Sequence, residues 1–133
     1  MTTGEYAQIG QVAERTELSL KTIRHYDEVD LVQPSARSAG GFRLYTDTDV
    51  ERLLTIRRMK PLGFTLAEMK QLLDCLDILD NPASNAEQRA NADTYLLECR
   101  NKTHDSADRL RRHLAYAEEF TALLTTHTTA PGR

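Results

Sequence analysis

From Ala86 to Thr125 the chain contains neither proline nor glycine. Some 40 residues without a breaker make about 60 Å of helix at 1.5 Å per residue. Leu96, Thr103, Leu110, Ala117 and Leu124 recur every seven residues along it, with Ala107, Leu114 and Phe120 beside them. Thr103, His104 and Ser106 weaken the middle, where a kink is allowed. A helix this long cannot cover its apolar stripe with the residues that precede it. The pattern therefore implies pairing with a second copy through Leu96, Leu110, Leu114, Ala117 and Leu124. Residues 126–133 are expected to form a flexible tail.

Composition narrows what the rest can be. Apolar residues are 40% and charged residues 28% of the 133, which excludes a disordered tract. No apolar run approaches the roughly 18 residues of a membrane span, and residues 1–20 carry no signal-peptide pattern. The expected location is cytoplasmic, with no membrane partner. Aromatic residues are only 6% with no Trp, too few for a large sandwich or barrel core. An all-α, mainly helical fold is expected.

The first 80 residues divide into short elements. Ile9, Val12 and Ala13 have the i, i+3, i+4 spacing of one helical face. Ser19 is a good N-cap for a second helix, in which Leu20 and Ile23 are expected to face the core. Pro34 ends that segment, since it removes a donor and biases Gln33 towards extended geometry. Gly40-Gly41 then stands between two short extended arms. Phe42 and Leu44 alternate with Arg43 and Tyr45, so the apolar pair is expected to pack inward and the polar pair to face out. Thr46 opens the next helix, Pro61 and Gly63 break it, and Thr65 with Glu68 forms a capping box for another. The buried stripe of that helix reads Leu66, Met69, Leu72, Leu73 and Leu76. The sequence Asn81-Pro82-Ala83-Ser84-Asn85 is a loop. Expected units are thus a domain over 1–80, a linker over 81–85 and the long helix over 86–125.

The net charge of −3 argues against nucleic acid until the charges are located. Arg37, Arg43, Arg52, Arg57, Arg58 and Lys60 crowd residues 35–60, against Asp47, Asp49 and Glu51. Charges beyond a Debye length of about 8 Å are screened, so a local basic patch can bind phosphate on an acidic protein.

Taken together, these motifs resemble the MerR family of bacterial transcription regulators. The resemblance runs through Tyr6-Ala-Gln-Ile9-Gly10, Val12-Ala13, Leu18-Ser19, Thr22-Ile23-Arg24, Tyr26-Asp27 and Leu31-Val32-Gln33-Pro34. It continues through Arg37, Gly41-Phe42-Arg43-Leu44-Tyr45, Asp49-Val50, Leu53, Ile56, Leu62-Gly63-Phe64 and Leu66 to Glu68. It covers about residues 6–75 with the spacing kept. His25 departs from a commonly aromatic position, and Glu17 and Asp30 stand where glycine is frequent. Glu17 means that the helix–helix turn either needs no positive φ or tolerates strain. Pro61 is also atypical.

The resemblance implies a winged helix-turn-helix DNA-binding domain followed by a long dimerisation helix. It further implies a homodimer on double-stranded promoter DNA that distorts an overlong spacer and so acts on RNA polymerase indirectly. On the second helix, Lys21, Thr22, Arg24, His25 and Tyr26 are the candidate DNA contacts, and Ser19 offers phosphate its hydroxyl and terminal amides. Arg24 reads a base or phosphate, or else pairs with Asp27 or Glu28. Those carboxylates and Asp30 are expected to point away from the duplex. Arg43 and Tyr45 carry over as phosphate contacts of the wing, joined by Arg37 and Lys60.

No triad, P-loop or HExxH motif is present, so an enzyme is not expected. No cofactor is expected either, and the effector is left open. An alternative is a thiol- or metal-responsive sensor using Cys99 or Cys75. These two are 24 residues apart, and His104, His113 and His127 do not share a helical turn. Within one chain the thiols can meet only if the loop at 81–85 folds the helices back. The expectation is no tight soft-metal site. A third reading is an architectural winged-helix DNA binder without an effector.

Overall fold

The computed structural model describes residues 5–128. Chain order is β1 (Ala7–Gln8), α1 (Ile9–Thr16), α2 (Leu20–Glu28), β2 (Ala36–Arg37), β3 (Arg43–Tyr45), α3 (Asp47–Met59), a 3-10 turn (Lys60–Leu62), α4 (Leu66–Asp80) and α5 (Ala86–His127). The three short strands form one antiparallel sheet in the order β1-β3-β2. β1 went unread in the sequence, since two residues carry no period. It pairs Ala7 with Tyr45 and Gln8 with Leu44.

Helix starts follow local chemistry. The hydroxyls of Thr46 and Thr65 accept from the Asp49 and Glu68 amides, while those carboxylates accept from the Thr46 and Thr65 amides in return. Asn85 and Gln88 repeat this reciprocal cap at α5. Each satisfies donors that the first helical turn would otherwise orphan. Asp49 does more, because it is buried and its Oδ2 also accepts from the Ser35 amide and hydroxyl at 3.2 and 2.6 Å. It thereby ties the base of β2 to the start of α3. Gly63, at φ 87°, ends the 3-10 turn that Pro61 enters.

Both expected glycine positions that hold other residues are left-handed. Glu17 has φ 59° and Asp30 φ 60°, so the α1–α2 turn carries the strain rather than avoiding it. Support for that turn comes from α3, where Arg57 Nη1 donates to the Thr16 carbonyl.

The core joins Val12, Ile23, Tyr26, Val32, Tyr45, Val50, Leu53, Ile56, Phe64, Met69 and Leu73. Two expected core positions are on the surface instead: Leu20 and Leu66, both first residues of their helices, are 39% exposed. A first helical residue lies at the rim of the packed face, where the core no longer reaches it.

The 81–85 loop folds α5 back along α4. α5 is unbroken through Thr103, His104 and Ser106, and it continues through Thr126 and His127, where a tail was expected; residues 129–133 lie outside the described residues. Its attachment uses side-chain donors and main-chain acceptors. The Tyr95 hydroxyl donates to the Glu68 carbonyl, Lys102 to the Gly63 carbonyl, and Ser106 to the Leu62 carbonyl. Arg89 reaches the carbonyls of Leu79, Asn81 and Ser84. Lys102 also pairs with Glu68 at 3.0 Å and lies 4.5 Å from the centre of the Phe64 ring.

Candidate nucleic-acid interface

α2 is the element built for presentation. Ser19 caps it by accepting from the Thr22 amide at 3.0 Å, and its own hydroxyl proton goes to Thr22 Oγ1. The hydroxyl expected to meet phosphate is thus used inside the helix. Ile23 and Tyr26, three residues apart, are both buried, which turns Lys21, Arg24 and His25 to the surface. Thr22 is half-buried.

Cationic groups flank α2 on both sides. Arg24 shares a cavity of about 140 Å³ with Gly41, Phe42 and Arg43 of the wing. Thr22 shares another, about 290 Å³, with Arg57, Lys60 and Pro61. Lys60 Nζ lies 6.0 Å from the centre of the Tyr26 ring. In the sequence Arg57 is only one member of the basic patch at 35–60; the fold brings it beside α2.

Two expected contacts are corrected. Tyr26 is 3% exposed and Tyr45 fully buried, so neither reaches a duplex. The expected apolar-in, polar-out alternation of the wing is not kept, and Arg43 and Leu44 are both half-buried. Phe42 is 66% exposed at the tip, whereas Tyr45 packs inside against Ala7 of β1. The cause is non-local: the face of β3 that carries Arg43 and Tyr45 turns towards α2, where Asp27 waits. Arg43 Nε donates to Asp27 Oδ2 at 2.7 Å, and Arg37 Nη2 to the same oxygen at 3.3 Å. That hydrogen bond pushes the Arg43 guanidinium above its ordinary value, and burial pushes the Tyr45 phenol up. The Tyr45 hydroxyl has no hydrogen-bond partner among the described residues. Asp27 therefore serves the wing, which leaves Arg24 of α2 uncommitted to it.

The wing tip is a tight turn. The Gly41 amide donates to the Ser38 carbonyl and the Phe42 amide to Ser38 Oγ, with Gly41 at φ 83°. At Gly40 a Cβ would lie 3.1 Å from the exposed Phe42 ring, which would have to give by a few tenths of an ångström.

This arrangement, a helix with an exposed polar face beside a small wing, is matched by two family descriptions. The description "MerR HTH family regulatory protein" covers residues 7–76, and "MerR, DNA binding" covers 50–116. The chain belongs to the MerR family. As a MerR-family member it is a DNA-binding transcription regulator, not an enzyme. The chain is 38% identical over 112 residues to the HTH-type transcriptional regulator HmrR of Rhizobium leguminosarum bv. viciae, covering 82% of this chain and 84% of that one. It is 48% identical over 67 residues to the transcriptional activator Mta of Bacillus subtilis, half of this chain but only 26% of that longer protein. Among solved structures it is similar to PbrR691 of Ralstonia metallidurans CH34, crystallised in complex with lead(II). There the identity is 28%, the TM-score 0.52, and the coverage 96% of this chain and 92% of that one.

Cys75 of this MerR-family chain lies on α4 and Cys99 on α5, on either side of the α4–α5 contact. Cys75 is buried and Cys99 half-buried; burial pushes both thiols up, and the Cys99 charge adds to the effect at Cys75. A raised thiol is less available as the thiolate, the nucleophilic form, at neutral pH. The described residues contain no group of three His, Cys, Asp or Glu placed to hold an ion. No described helix is long and apolar enough to cross a membrane.

Proposed function

We propose that the chain works in the cytoplasm as a homodimer on promoter DNA. In this reading α2 enters the major groove with Lys21, Arg24 and His25. Arg43 on one side and Lys60 with Arg57 on the other hold the flanking phosphates. The observation that supports it is the placement of α2 between two cationic flanks, which is how phosphate contacts set the register of a reading helix. The second copy joins through Leu110, Leu114, Ala117 and Leu124 of α5, which carry the apolar stripe beyond the domain. Leu96 is half-buried and lies at the edge of that surface. Two domains on one long helix pair hold two half-sites. Bending and untwisting the spacer between promoter elements then realigns them for RNA polymerase.

The test is affinity across salt concentrations for a duplex that this protein selects from a random-sequence library. Arg43→Ala and Lys60→Ala should each weaken binding to any sequence and lower the salt slope by about one unit. Arg24→Ala should instead alter sequence preference. If all three variants bind like the parent, the surface is assigned wrongly.

A further inference from the structure

We propose that Asp27 is a positioning residue for DNA recognition: it clamps the wing to the reading helix, so that both meet the duplex as one rigid part. The inference rests on the proposed reading of Arg43 as a phosphate contact. A carboxylate on the DNA-facing helix would ordinarily be a liability, since it repels phosphate. Here it is only 11% exposed, and its Oδ2 is occupied by two wing cations.

The two cations are used differently. Arg37 spends both terminal nitrogens inside the protein, Nη2 on Asp27 and Nη1 on the Gly41 carbonyl at 3.1 Å. It is a strut from the last turn of α2 to the wing tip. Arg43 gives Asp27 only its Nε, and its side chain remains 24% exposed. The two Nη groups are then free for a phosphate, and the fork is already oriented by the bond behind it. Pre-orienting a long side chain removes rotamer entropy that binding would otherwise cost. β2 and β3 contribute only two and three residues to the wing, so their ladder alone is a weak restraint. Asp27 supplies the missing link between wing and helix.

Simple electrostatics and positioning predict opposite signs. If Asp27 only repels phosphate, Asp27→Asn tightens DNA binding. If it positions the wing, the same change weakens binding about tenfold, the worth of one charge-assisted hydrogen bond, and lowers the salt slope. Arg43→Ala should then cost less in the Asp27→Asn background than in the parent, and Asp27→Glu should recover part of the loss. The full chain is assayed on the library-selected duplex, with melting curves to confirm folding. Weakening with a reduced Arg43 effect supports the clamp. Unchanged or tighter binding by Asp27→Asn, with Arg43→Ala still weakening, overturns it and leaves the wing reading intact. No effect of Arg43→Ala in the parent overturns the wing reading and the clamp with it. Should Asp27→Asn not fold, Arg37→Gln replaces it, because the Arg37 side chain is half exposed and outside the core. Faster hydrogen exchange at the Gly41 and Phe42 amides in that variant supports the clamp, and unchanged exchange overturns it.

Discussion

The two halves of α5 are one helix with one heptad repeat, but their surroundings differ. Between Ala86 and Ser106 the helix lies on its own chain, with Ala92 1% and Ser106 3% exposed. Beyond Ser106 no described residue is buried, and Leu110, Leu114, Phe120 and Leu124 are about half exposed. The two fully buried residues of α5, Ala92 and Ser106, are small and lie where the helix meets its own domain, whereas the large apolar residues beyond Ser106 are covered by no described residue. A heptad stripe announces that a face will be covered, while residue size tells how closely the cover approaches.

The largest effect is expected from Leu110→Glu combined with Leu114→Glu. Sedimentation should show a monomer, and operator affinity should fall by roughly a hundredfold or more, as the loss of bivalent attachment requires. A persisting dimer would break the contrast between the halves. Next comes Ala92→Leu, which overpacks the docked half and should cost about 1–3 kcal/mol in a chemical melt. Ala117→Leu, on the undocked half, should change monomer stability by less than about 0.5 kcal/mol. Equal effects at the two alanines would show that the docked half is not held as described. Lys102→Ala removes a partly exposed ion pair and a cation–π contact, and should cost no more than about 1 kcal/mol.

The smallest effect concerns acid. The Thr65 amide, and then Lys102, hold the Glu68 carboxyl below its ordinary value. The unfolded chain therefore takes up that proton more readily than the folded one. The resulting stability is complete above the ordinary carboxylate value and is lost as pH falls through the depressed one. Protection of the amides around residues 62–68, relative to their intrinsic exchange at each pH, should fall below about pH 4, ahead of protection in the core of α3. An unchanged order of protection would separate Glu68 from the docking of α5.

Most of the helical frame was legible in the sequence because its signals are local. Thr65 with Glu68, the Asn81–Asn85 loop and the Pro61–Gly63 break each act within a few residues, and the helices begin and end beside them. On α2 the exposed face was legible, because burial of Ile23 settles which face Lys21 and Arg24 occupy. It was not legible on the wing. Alternation gives a period of two but not which side chains are covered, and that is set by Asp27, sixteen residues before Arg43, and by Ala7 across the sheet. Tyr26 was misplaced for a related reason: an amphipathic side chain on a short helix suits either face, and the core claimed it. Arg57 and Arg37 needed the fold, since their roles depend on what lies opposite them.

The way α5 is fastened has a consequence for how such a protein can change over time. Its donors, Arg89, Tyr95, Lys102 and Ser106, grip carbonyl oxygens at positions 62–84, and a carbonyl is present whatever side chain its residue carries. Apart from Phe64 and Glu68, which Lys102 also touches, the receiving segment can therefore exchange side chains with these bonds kept, and Lys60 and Pro61 beside α2 lie just outside it. Variation in how the domain meets DNA is decoupled from the joint that holds the long helix to it. The same joint can carry many DNA-facing surfaces, provided that the four donors stay.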